Sequence, residues 1–289
     1  MTEQAPSSSQ RKDNKIRGLL KRSNFDVPPL RSLVDEIFYS TQGGPFNVRV
    51  LANRVEQDPT LSERILAICG SPYYSGKTQI RSITQVIQRL GPTGFRSVAL
   101  QAYLELDIYD TTLWTEQLRQ IKDYSLIVAH ICRVISRYTK GDGDKAFMCG
   151  LLHRIGFSTG LIHLPFEDHR VEEIWHSLEV SHGVFGKIVV SEWGLSEEIQ
   201  NVVGNYGQMV INQDLNLLGA TVIAAEEFAR RLKFGIKPPR RPKHDVNLMM
   251  KDNASRAFEL LDIDQHNVDQ IRQDILDVLK QGLMLNIRQ

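Results

Sequence analysis

GLLHRIG, residues 150–156, is the stretch on which the reading of this chain turns. Two glycines, Gly150 and Gly156, flank His153 and Arg154 on an apolar helical segment. A His followed by an acid in such a setting would be half of a metal site, because imidazole nitrogen and carboxylate oxygen both ligate divalent cations. Here the acid's place is held by Arg154. A guanidinium stays charged and cannot coordinate. The segment is either an altered hydrolytic metal centre or what remains of one.

The surrounding text is helical. Pro28 and Pro29 open LRSLVDEIFYS, whose apolar residues recur at three and four. FNVRVLANRVEQ reads as a second helix. In DPTLSERILAICG, Asp58 is an N-cap, Pro59 sits in the first turn, Leu61, Ile65, Leu66 and Ile68 form the apolar face, and Gly70 is a stop. RSITQVIQRLG has Ser82 as cap and Gly91 as stop. TTLWTEQLRQIKDYSLIVAHICRVISRYTKG is one long helix or two. DKAFMCGLLHRIGFSTGLI, SLEVSHGVFGKIVVSEWG, SEEIQNVVGNYG, DLNLLGATVIAAEEFARRLKFG and two C-terminal helices follow. No stretch alternates as a strand should, so the expected class is all-α.

Composition sets bounds. The chain has 289 residues, 42% hydrophobic and 24% charged, with a net charge of +1. That balance gives no global field toward nucleic acid or membrane, and no apolar run reaches the ~20 residues that a membrane span needs. No specific nucleic-acid partner is expected. The three cysteines, Cys69, Cys132 and Cys149, are far apart among apolar residues, which reads as reduced, buried thiols in a cytoplasmic protein. Residues 1–24 carry Arg11, Lys12, Lys15, Arg17, Lys21 and Arg22 and read as a disordered basic arm. KPPRRPK, residues 237–243, reads as a surface loop between helices.

GSPYYSGKT, residues 70–78, resembles a phosphate loop but is not one. The first glycine of G-x-x-x-x-G-K would have to stand at Ser71, and a helix rather than a strand precedes it. Of the eight histidines, His163, His169 and His176 have no two-ligand spacing, and His244 and His266 sit among polar residues. His130 reads as a satisfied core residue. His153 shares a face with Cys149, Gly150, Gly156 and Phe157, and His182 with Phe185, Gly186, Val189 and Trp193. Both point inward from helices rich in small residues, as ligands or as buried, hydrogen-bonded histidines.

Four stretches, in order, resemble the HDOD family, the HD-related output domains of bacterial signalling. EQDPTLSERILAICGSPYY (56–74) is similar to its Asp-Pro-x-Leu block, with Gly70–Ser71 where Asn-Ser is usual. IRSITQVIQRLGPTGFRSVAL (80–100) is similar to its Ile-x-Ser block. GLLHRIG resembles GLLHDIG, and EVSHGVFGKIVVSEWGL (179–195) resembles the block ending in Trp-x-Leu-Pro. The resemblance implies a helical N-terminal lobe, residues 25–110, packed on an HD-like helical bundle, residues 111–289.

Parent HD phosphohydrolases hold divalent metal with a His, a His-Asp pair and a later Asp. By that resemblance the first His position falls on Tyr124, beside Asp123; His153 keeps the second; Arg154 replaces the acid; and the later Asp falls near Glu226. A further paired His falls at Asn205–Tyr206, and His182 has no acid beside it. A unit positive charge about 4 Å from another costs roughly 4 kcal/mol at an effective dielectric of 20, and a divalent ion doubles that. The expectation is therefore no catalytic residue and no metal, with Arg154 paired to Glu179 or Glu226 in the cation's place. The expected function is a non-catalytic signalling module acting on another signalling protein. The alternatives are a metal-dependent phosphohydrolase with an altered site, and a binder of nucleotides or cyclic dinucleotides that uses Arg154.

Overall fold

The computed structural model describes residues 27–283, apart from residues 29, 31, 42, 44–45, 77, 107–113, 164–170 and 237–246. The basic arm and the KPPRRPK loop lie outside the described residues.

The N-terminal lobe begins with α1 (Ser32–Ser40), α2 (Val48–Glu56), α3 (Pro59–Cys69) and the single turn α4 (Pro72–Ser75). Asp58 caps α3 as its sequence position requires, its carboxylate accepting from the Leu61 amide at 3.0 Å. The buried stripe of α3 is Leu61, Ile65 and Cys69. Leu66 and Ile68, expected on that face, are only half-buried, because a strict four-residue step puts Cys69 in line and leaves them at its edges.

Next, α5 (Ile83–Glu105) shows why Gly91 reads as a stop. Its backbone has φ 67° and ψ −177°, which glycine adopts without a side-chain clash, and Pro92 restarts the helix at a new angle. The second half of α5 buries Phe95, Val98, Ala99, Leu100, Ala102 and Tyr103 and forms the floor shared by both lobes.

The bundle is α6 (Thr115–Tyr138), α7 (Gly143–Leu152), α8 (Ile155–His163), α9 (Val171–Glu192), α10 (Glu197–Gly204), α11 (Leu217–Arg231), α12 (Asn247–Leu260) and α13 (Gln265–Val278), with a wider π-turn at Leu279–Leu283. The TTLW segment thus yields one long helix. Between α10 and α11 lies a hairpin, β1 (Val210–Ile211) with β2 (Asp214–Leu215), Val210 opposite Leu215. Asn212 and Gln213 turn it with positive φ. Two residues per strand are too few to leave an alternation in the sequence, and the class remains all-α.

One apolar core runs from Leu33 in α1 to Leu279 after α13, so the lobes share an interior. A smaller cluster, Trp114, Ile121, Phe157, Leu161, Trp175, Leu178 and Phe185, lies where α6, α8 and α9 meet. The Trp193 indole donates to the Pro28 carbonyl at 2.9 Å, tying α9 to the start of the N-terminal lobe. The three cysteines are buried and unbridged. Among the described residues no helix is long and apolar enough to cross a membrane.

Candidate functional site: a buried arginine cage

GLLHRIG does not lie on a continuous helix. It spans the break between α7 and α8, with His153 and Arg154 in the two-residue turn. The flanking glycines explain their inward aim. A side chain at Gly150 would meet the Ala129 backbone of α6 at 2.6 Å. One at Gly156 would overlap the backbone of His182 and Gly186 in α9. Without Cβ atoms α7 presses on α6 and α8 on α9, and the turn between them faces the middle of the bundle.

Four other elements send a side chain to that point. Tyr124 comes from α6, His182 from α9, Tyr206 from the segment after α10 and Glu226 from α11. His153, His182 and Glu226 are buried, as is Tyr124. Arg154 donates to Glu226 Oε1 at 3.1 Å and to the Tyr206 hydroxyl at 3.2 Å. Tyr206 in turn donates to Glu226 Oε2 at 2.5 Å. The Tyr124 hydroxyl is 3.5 Å from Glu226 Oε1. The guanidinium carbon lies 5.6 Å from the ring centres of both Tyr124 and Tyr206, so the cation is flanked by two aromatic rings.

His153 Nδ1 is 2.6 Å from the Gly150 carbonyl, and Nε2 faces Glu226 Oε1 at 3.4 Å. His182 packs its ring 4.5 Å from that of Tyr206, and its two nitrogens have no hydrogen-bond partner among the described residues.

The electrostatics follow from burial and the one full cation. Burial raises the Glu226 carboxyl, but Arg154, with help from His153 and Tyr206, overcomes it and holds the group well below the usual carboxylate range. Burial opposes the Arg154 charge, and Tyr206 and Glu226 outweigh it, so the guanidinium stays fully protonated. Burial, then Arg154 and His153, push His182 down to about 3, which makes it a neutral imidazole. Burial and Glu226 raise the Tyr206 hydroxyl, which stays a donor.

This donor set does not fit a divalent metal. Both oxygens of the single carboxylate already accept hydrogen bonds, and the nearest charge is a cation that cannot leave without exposing Glu226 unpaired. Among the described residues no three of His, Cys, Asp and Glu stand close enough together to hold a metal ion.

Five of the residues singled out in the sequence, Tyr124, His153, Arg154, His182 and Glu226, meet at this point. Glu179 does not join them. Its carboxylate accepts from the Trp175 indole at 3.2 Å, one turn back on α9, and the Arg154 partner is Glu226. Asp123, next to Tyr124, turns outward to Arg119 at 3.0 Å. Tyr206, the group that bridges cation and carboxylate, is the residue sequence reasoning underrated; its signal was its place where relatives carry a paired His. His130 is buried, as expected, but it packs edge-on to Tyr73 and Phe147 and its ring nitrogens have no partner among the described residues.

Solved structures share this architecture at low identity. A candidate metal-dependent phosphohydrolase from Shewanella amazonensis SB2B superposes with TM-score 0.71 at 18% identity, covering 94% of this chain and 99% of its own. An HDOD domain protein of unknown function from Geobacter sulfurreducens gives 0.66 at 19%, covering 92% and 99%. A candidate signal transduction protein from Marinobacter aquaeolei VT8 gives 0.64 at 13%, covering 96% of this chain and 65% of its own. No curated protein matches in sequence. The HDOD domain profile matches residues 27–209, from the start of the N-terminal lobe past Arg154 and Tyr206 but short of Glu226, and the chain belongs to the HDOD family.

Proposed function

We propose that this HDOD protein is a non-catalytic signal-transduction module that acts by contact with another protein. The observation that carries the reading is the Arg154–Glu226 pair at 3.1 Å. A permanent side-chain cation stands beside Glu226, the carboxylate that by the family resemblance falls near the later metal-binding Asp. With the chemistry replaced by a structural ion pair, the surface is left to do the work. Val210 and Leu215, paired across the hairpin, and Leu217 beside them are 53%, 60% and 51% exposed, an apolar cluster of the kind that marks contact sites.

The test has two arms. Purified protein is assayed on bis(p-nitrophenyl) phosphate with Mn, Fe, Ni and Zn supplied in turn. The reading expects no turnover above the protein-free rate. Turnover that scales with protein and disappears in Glu226→Gln would replace it with a phosphohydrolase. In the second arm, cross-linking in the source cell followed by mass spectrometry should place links to one recurring protein on the hairpin face, and Val210→Asp/Leu215→Asp should lose them.

A further inference from the structure

A second feature shares no residue with the Arg154 cage. Helices α3, α5 and α6, with the turn α4, border a cavity of about 420 Å³. That is within the range of sites for small molecules, roughly 300–1,000 Å³.

The mouth is charged but balanced. Arg64 pairs with Glu105, and Arg119 with both Glu116 and Asp123. Lys122 donates to the Glu105 carbonyl at 3.4 Å. Three cations stand with three carboxylates, so the mouth presents no net charge. An ionic ligand would have to break pairs already made, and the fitting occupant is uncharged.

The walls are aromatic. Tyr73 stands edge-on to Tyr74 with ring centres 4.8 Å apart, and edge-on to His130 at 5.3 Å. All three rings line the cavity. Such rings favour a flat aromatic guest, which can stack on a face or meet an edge.

Two nearly buried polar side chains complete the lining, Gln101 and His130, each 3% exposed. Gln101 donates from Nε2 to Glu105 at 2.9 Å. The Glu105 carboxylate, paired with Arg64, only accepts, so this bond fixes the orientation of the amide. Oε1 is then an acceptor with no hydrogen-bond partner among the described residues, and both nitrogens of His130 are in the same condition. Burial, with Arg133 adding to it, keeps that ring neutral, so it offers one donor and one acceptor. Buried polar groups are as a rule hydrogen-bonded. Here three such atoms, on two side chains that line one cavity, are not.

We propose that this cavity binds an uncharged planar heterocycle with ring N–H and C=O groups side by side, the class of the bases uracil and hypoxanthine. The ring N–H donates to Gln101 Oε1, the C=O accepts from His130, and the tyrosine rings supply the flat wall. The proposal does not depend on the reading of the Arg154 cage.

The experiment is equilibrium dialysis of the full chain with uracil and with hypoxanthine. Each has a counterpart whose ring N–H groups are methylated, 1,3-dimethyluracil and caffeine, and one that is an anion at neutral pH, orotate and urate. The expected result is that one of the two bases binds at least tenfold tighter than both of its counterparts. Ala67 is exposed on the α3 wall. Ala67→Trp, which sets a bulky ring against the cavity, should weaken that binding at least tenfold with an unchanged melting temperature. Gln101→Leu removes the acceptor and should bring the base close to its methylated counterpart; if that variant fails to fold, Ala67→Trp still decides. No binding of either base at millimolar concentration overturns the proposal. So does equal binding of the methylated counterpart, which would mean a merely apolar slot, or of the anion, which would mean that the mouth is not neutral. Binding that either folded variant leaves unchanged overturns it as well.

Discussion

At the scale of the residue, the account rests on Arg154 and Glu226. Removing one member of a buried pair leaves the other charge stranded, at a cost of about 3–5 kcal/mol. Arg154→Met should therefore lower the unfolding free energy by about that amount in urea titration, and Arg154→Met/Glu226→Leu should recover most of the loss. A double variant no more stable than the single one would mean that the cage is held by something other than the pair. His182 gives a second test. Its folded pKa of about 3 is below the ordinary value of about 6.5, so its contribution is complete above 6.5 and is lost as pH falls toward 3. The ceiling is about 1.4 kcal/mol per pH unit for one such group. His130 is likewise held neutral by burial. Between pH 6.5 and 5, His182→Phe should make the fall of stability with falling pH shallower than in the wild type. An unchanged slope would contradict the buried neutral imidazole. In the sequence, the identities of His153, Arg154 and Glu226 were legible because substituted motif positions stand out. The choice of Glu226 over Glu179 was not, since it depends on which turn of α9 faces the cage.

At the scale of the element, the cage exists because glycines let helices touch. A methyl group at Gly156 would overlap the α9 backbone at His182 and Gly186, where no flexible side chain can yield. Gly156→Ala should thus cost about 3 kcal/mol or more. Near-UV circular dichroism, sensitive to the Trp175 and Phe157 packing beside that crossing, should change with it. A variant with wild-type stability and spectrum would show that α8 and α9 do not approach as closely as described. The helices themselves were readable from caps and apolar spacing: Asp58 and Ser82 both cap as placed. The break at His153–Arg154 was not readable, because both flanking segments have helical composition and the interruption is imposed by packing against α6 and α9. The β1–β2 hairpin escaped for a different reason, its strands being too short to show a period.

At the scale of the whole molecule, the two lobes share one interior. The core is continuous from α1 to the turn after α13, and Arg133 of α6 bonds both Tyr74 in the N-terminal lobe and Asp144 in α7 at 2.8 Å. The chain should accordingly unfold in a single transition, with far-UV circular dichroism and tryptophan fluorescence coincident in urea; two separated transitions would mean independent lobes. The all-helical class was legible from caps and apolar spacing, whereas the cavity between α3, α5 and α6 was not, since its lining comes from residues up to 66 positions apart, Arg64 to His130, with no shared pattern. The proposed function requires that Arg154 stand where a metal would. The measurement that tests it most directly is metal content of the purified, tag-free protein by plasma mass spectrometry, before and after incubation with Mn, Fe, Ni and Zn. Far less than one equivalent of any of them is expected in both samples. Near-stoichiometric metal that is lost in Glu226→Gln would contradict it.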